Sequence, residues 1–191
     1  MDNFLFYLTE GIRHIFDPEG PDHLLFIVSF CLPYGLRDWK RLAGLVTAFT
    51  VGHSLSLLLS VFEIVRIDQA LVETLIPLSI LLSCLFNYLL FFRPRARTAS
   101  VKIAYPLLLA FGLLHGLGFS DYLRMMLFAD DSIVLPVLGF NLSIEVAQLV
   151  IVGVVLFVFG ALLGRFPQRQ RVVLSGVNTL VILLVIGMMR G

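Results

Sequence analysis

Five stretches of this chain, at roughly 39–62, 72–92, 103–120, 135–163 and 171–189, are each almost continuously apolar over about 20 residues. That length matches the hydrocarbon core of a bilayer, which a helix rising 1.5 Å per residue crosses in about 20 residues. A sixth apolar stretch, from about 22 to 36, is shorter. The runs constrain the fold more than any other feature. A backbone in lipid must satisfy its own hydrogen bonds, and helices of this length do so within one segment. Composition agrees: 59% of residues are hydrophobic, 14% are charged and the mean hydropathy is +0.96. The expected architecture is all-α, a polytopic membrane bundle of six transmembrane helices, with the lipid bilayer as its solvent.

Ahead of the first span, Phe4–Phe16 carries Phe4, Leu8, Ile12 and Ile15/Phe16 at helical spacing. It is too short to span and reads as an interfacial helix. Pro18-Glu19-Gly20-Pro21 then breaks the chain. The chain divides into residues 1–20, an interfacial helix and turn, and 21–191, a six-helix bundle, in one transmembrane domain. The start, Met1-Asp2-Asn3, lacks the basic region of a signal peptide and reads as part of the mature protein.

Charge sets the orientation. Arg37, Lys40 and Arg41, then Arg93, Arg95, Arg97 and Lys102, then Arg165, Arg169 and Arg171 occupy three alternate loops, ten of the fourteen basic residues. Basic loops stay cytoplasmic, so both termini are expected outside. Nearly all the acids, Asp130 and Asp131 among them, fall outside or at the outer edge; Asp38 alone sits on the basic side, and Glu145 lies within a span. The net charge of +1 offers no field for nucleic acid, which is not an expected partner. Cys31 and Cys84 lie in apolar runs and read as core residues rather than a disulfide.

Ionisable residues inside a bilayer cost at least about 2.5–3.5 kcal/mol each for Asp, Lys or Arg, so those present call for a role. The four histidines, His14, His23, His53 and His115, all avoid the cytoplasmic loops. Counting from the span ends places His53 about 16 Å and His115 about 18 Å above the inner end, and Glu145 about 15 Å below the outer end. All three are expected in the outer half. The short first span draws Asp22 and His23 towards the same level. Asn141, Glu145 and Gln148 follow i, i+4, i+7 spacing, and Thr47, Thr50 and Ser54 form a similar stripe beside His53. Imidazole with carboxylate suits zinc, nickel, cobalt or iron better than magnesium or calcium. The expected metal ligands are His14, Asp22, His23, His53, His115 and Glu145. Asn141, Gln148, Ser54 and Thr50 would orient them. Each residue also has an ordinary reading: His53 as an interhelical hydrogen-bond partner, His14 as a solvated residue, Asp22 as a helix cap, Glu145 as a neutral carboxyl bonded to Gln148 or His115.

Several ordered motifs resemble the second branch of the HupE/UreJ family of bacterial membrane proteins. They are Gly11-Ile12-Arg13-His14-Ile15, Pro21-Asp22-His23-Leu24-Leu25-Phe26, Thr50-Val51-Gly52-His53-Ser54, Phe111-Gly112-Leu113-Leu114-His115-Gly116-Leu117-Gly118 and Phe140-Asn141-Leu142-Ser143-Ile144-Glu145. The resemblance implies a divalent-metal permease for nickel or cobalt in the bacterial inner membrane. Its partners would be the metal ion, with metalloenzyme-maturation proteins or further copies of the chain as additional ones. The residues leave a second reading open, an intramembrane metalloenzyme acting from the outer face. Histidines would hold a zinc-type cation with a position free for water, and Glu145 would be the base.

Overall fold

The computed structural model describes residues 2–92, 96–127, 133–164 and 169–190. Arg93, Arg95, Asp130, Asp131 and Arg165 lie outside them. The described residues are helical with no strand: α1 (Asp2–Ile15), α2 (Asp22–Cys31), a 3-10 turn (Leu36–Asp38), α3 (Trp39–Val61), α4 (Gln69–Phe92), α5 (Ala96–Met126), α6 (Val134–Gly164) and α7 (Gln170–Met188).

Among the described residues, five helices are long and apolar enough to cross a membrane, within α3 to α7. They coincide with the five long apolar runs. Their outward faces are rows of large apolar side chains, such as Leu78, Leu82, Leu85 and Leu89 on α4 and Leu142, Val146, Val150 and Val154 on α6. Aqueous proteins seldom expose continuous apolar surface on this scale, whereas lipid requires it. The chain is a multi-pass helical membrane protein.

The sixth expected span differs. Helix runs only from Asp22 to Cys31, ten residues or about 15 Å, half the thickness of the hydrocarbon core. Pro33, which has no backbone N–H to donate, follows two residues after Cys31 and cannot extend the hydrogen-bond ladder. The backbone turns through Pro33-Tyr34-Gly35 and restarts at Leu36.

Helix α1 does more than lie on a surface. Leu5, Phe6 and Ile12 face outward, but Tyr7 and Ile15 are fully buried. Gly11 sits directly on the backbone of Phe140 and on Ser143, so that any β-carbon there would collide. Small residues allow this closeness between membrane helices. The α1–α6 pair is one of the larger helix interfaces, and it brings the C-terminal end of α1 into the bundle.

The most extensive interface joins α3 and α5. Gly52, Gly112 and Gly116 line it, each facing the backbone of the opposite helix: Gly52 against Leu109, Gly112 against Phe49, Gly116 against His53. Phe26, Phe49, Phe111 and Phe140 fill the space inside.

Nearer the basic ends of the helices, α2, α4 and α7 are joined by amides. The Asn87 Nδ2 group donates to Ser29 O at 2.6 Å and to Asn178 Oδ1 at 3.0 Å. Asn178 Nδ2 donates in turn to Cys84 O at 2.9 Å, and Ser29 Oγ lies 3.1 Å from Ser83 Oγ. Cys31 and Cys84 are buried free thiols, as their apolar surroundings suggested.

Candidate metal centre

Four helices each deliver one histidine to the bundle interior: His14 from the end of α1, His23 from the start of α2, His53 from α3 and His115 from α5. His23 occupies the middle. Its ring centroid lies 4.5 Å from that of His14, 5.7 Å from His53 and 4.9 Å from His115. Ligand nitrogens of His14, His23 and His53 all fall within 4.8 Å of one another. His23, His53 and His115 are buried, and His14 is half-buried.

The hydrogen bonds assign the nitrogens their roles. His53 Nδ1 meets Asn141 Oδ1 at 3.1 Å. The Asn141 amide is itself fixed, because its Nδ2 donates to Val137 O at 2.8 Å and leaves only oxygen for the ring. His115 Nδ1 meets Phe111 O at 2.8 Å. His23 Nδ1 lies 3.3 Å from Asp22 Oδ1, which also accepts from the His23 backbone N–H at 2.9 Å. A carbonyl can only accept, so Nδ1 carries the proton in His53 and His115, and the carboxylate favours the same tautomer in His23. Each Nε2 is then a bare lone pair.

All four Nε2 atoms, those of His14, His23, His53 and His115, are buried and lack a hydrogen-bond partner. One unsatisfied buried nitrogen costs about 1–3 kcal/mol. Four in a single cluster are a poor way to build a core. Imidazoles held at Nδ1 by a carboxylate or carbonyl, with Nε2 left free, are how proteins present nitrogen to a metal. Three such ligands with further coordination open to solvent match zinc-like sites, and imidazole equally suits nickel and copper. The donor set therefore fits a transition-metal cation.

A cavity of about 780 Å³ reaches this cluster, lined by His14, His23 and His115 together with Glu10, Asp22 and Glu73. The turn between α1 and α2 forms part of its wall through Phe16, Asp17, Pro18 and Gly20. That is where irregular backbone is tolerable in a membrane protein. Asp22 is the first residue of α2, and its Oδ1 both accepts from the His23 backbone N–H in the first turn and faces the His23 ring, so the carboxylate braces the helix start and orients His23.

The other expected site residues separate into two groups. Thr50 Oγ1 donates to Gln148 Oε1 at 3.1 Å, and Ser54 Oγ donates to Thr50 O at 2.8 Å. Both bonds join or brace α3 and α6 beneath His53 without touching a histidine. Glu145 is placed away from the cluster. Its Oε1 accepts from Thr47 Oγ1 at 2.7 Å, on the outer rim of the α3–α6 seam. The cause is helical phase. Asn141 and Gln148, seven residues apart, share the inward face, but a step of four turns Glu145 by about 40° and carries it about 6 Å further along the helix. Its bonds to Gln148 or His115, an alternative in the sequence, are likewise not formed: its partner is Thr47.

Sequence reasoning placed Glu10 and Glu73 among the outer acids and did not connect them with the histidines. Glu10 is nonetheless buried, paired with Arg13 at 2.7 Å. A carboxylate on the packed face of an amphipathic helix was the available signal. Asn141→Ala removes the group that fixes the His53 tautomer while leaving all four imidazoles. Losing such a partner typically costs 10–100-fold in metal affinity. Cobalt(II) titration of the detergent-solubilised variant should show a loss of about that size. An unchanged affinity would mean that His53 is not oriented by Asn141 for binding.

No curated protein and no solved structure matches this chain. A family model described as HupE / UreJ protein matches residues 1–190, and the chain accordingly belongs to the HupE/UreJ family.

Proposed function

We propose that this protein moves a divalent transition-metal cation, of the nickel or cobalt kind, across the bacterial inner membrane, with both termini outside. The observation that carries the reading is the set of four buried, unpartnered Nε2 atoms on four helices. His14, His23 and His53 form the primary ligand set, and His115 stands beside His23 as the next nitrogen available. Asp22 and Asn141 hold the ligands in their tautomers. The carboxylates of Asp17, Asp22 and Glu73 at the cavity attract cations to it. The family membership supports nickel or cobalt as cargo, and the basic residues Arg37, Lys40 and Arg41 support the orientation.

A metalloenzyme reading is favoured by one feature. The nitrogens open towards a roomy cavity, while the polar groups of α2, α4 and α7 are tied to one another through Asn87 and Asn178. In that reading Glu145 is too far along α6 to act as the base, and Asp22 and Glu73 are the carboxylates that face the cavity.

Uptake of nickel(II) or cobalt(II) into proteoliposomes separates the two. The transport reading expects saturable uptake by the wild type and uptake at the protein-free background for His53→Ala. Wild-type protein that binds the cation but accumulates none would sink it.

A further inference from the structure

The cavity is too large for the ion that the histidines would hold. Six coordinated waters at about 30 Å³ each occupy about 180 Å³. The cavity measures about 780 Å³, roughly four times as much and within the range of pockets that enclose small organic molecules. Its wall is mixed in the manner of such pockets. Ile12, Phe16, Ile76 and Phe119 present apolar surface beside the polar groups, and a site for a hydrated ion has no need of them.

Charge narrows the class of molecule. Arg13 is taken up by Glu10 at 2.7 Å. Asp17, Asp22 and Glu73 remain on the wall as three carboxylates, without a second basic residue among the lining side chains. A bound divalent cation offsets two of these charges and leaves the wall negative. A ligand carrying its own positive charge is favoured over a neutral one, and an anionic ligand is opposed. The buried nitrogens of His14, His23 and His115 reach the cavity, so a cation held there can take further ligands from the cavity side.

From this we infer that the site holds a ternary complex: the metal on the histidines and a small organic molecule in the cavity, bearing a cationic amine and supplying the metal with a further ligand. The inference rests on the metal-site reading above and specifies what accompanies the cation there. No bond other than coordination forms, and the coordinating atom displaces a water.

Three N1-substituted imidazoles of graded charge, which coordinate only through N3 and cannot chelate, test it: 1-(3-aminopropyl)imidazole (cationic), 1-methylimidazole (neutral) and imidazol-1-ylacetate (anionic). Cobalt(II)-loaded protein in detergent is titrated with each while the visible d–d bands are followed. The expected order of affinity is aminopropyl, methyl, acetate, with the aminopropyl probe at least about tenfold tighter than the acetate. Glu73→Gln, compared at saturating cobalt(II), should reduce that preference at least about threefold. Ile76→Trp fills the cavity and should abolish the response to the aminopropyl probe while the cobalt bands persist. Cobalt bands that do not respond to any probe, or an acetate preference, overturn the inference and leave the metal site standing. Wild-type protein without cobalt bands overturns both.

Discussion

His23→Ala should lower cobalt(II) affinity at least about 100-fold. The removal of groups that merely orient a ligand typically costs 10–100-fold, and the His23 ring lies against all three other imidazoles. Competition against a chromophoric chelator measures the loss directly. His14→Ala should fall in the same range, because the His14 nitrogen belongs to the tightest set. Glu145→Gln should alter affinity less than about threefold, since its carboxylate is engaged by Thr47 on the rim of the bundle. This contrast separates the structure from the sequence expectation, in which Glu145 was a ligand. A Glu145→Gln loss as deep as that of His23→Ala would move the site towards α6. A His23→Ala change of less than threefold would remove the metal centre altogether.

The second large effect requires no change to any polar group. Gly112→Ala places a β-carbon against the carbonyl of Phe49, and this neighbour is backbone, which has little room to move. Overpacking of this kind costs about 1–3 kcal/mol. For a chain of this size the cost corresponds to a fall of roughly 2–12 °C in melting temperature. Cobalt binding should weaken as well, with every histidine intact, because His53 and His115 lie on the two helices forced apart. Gly153→Ala and Gly176→Ala are the controls. Both glycines face open space, and alanine is the better helix former by up to about 1 kcal/mol. Those variants should melt at or slightly above the wild-type temperature. If Gly112→Ala behaves like them, the close α3–α5 contact does not set the spacing of the histidines.

Much of this arrangement was legible before any coordinates. The long apolar runs located the helices from α3 to α7, because twenty apolar residues have few other fates. The sequence also singled out the four histidines, since a polar residue in lipid is conspicuous. What escaped was direction. Residue spacing gave Asn141, Glu145 and Gln148 one common face, but a helix face is about 100° wide and the interior begins within it. Glu145 lies just beyond that boundary. Helix α1 was read as interfacial from Phe4, Leu8, Ile12 and Ile15/Phe16, while Gly11, which permits its packing on α6, has no side chain to contribute to an amphipathic pattern. Asn178 stood alone in an apolar run, and only the approach of α7 to α4 shows that it completes a pair with Asn87.

The four imidazoles come from helices spread across the first two-thirds of the chain, and no two share a helix. The closest set, His14, His23 and His53, lies on α1 to α3, but α1 packs on α6 through Gly11 and Asn141 of α6 fixes the His53 ring, so the site is incomplete in any fragment of the protein that ends before α6. Tight cation capture should therefore report completed assembly. A ligand that binds the assembled bundle and not the separated helices stabilises it by about 2.7 kcal/mol at one hundred times its dissociation constant. Metal supply would then govern how much of this protein persists in the membrane as well as what it carries.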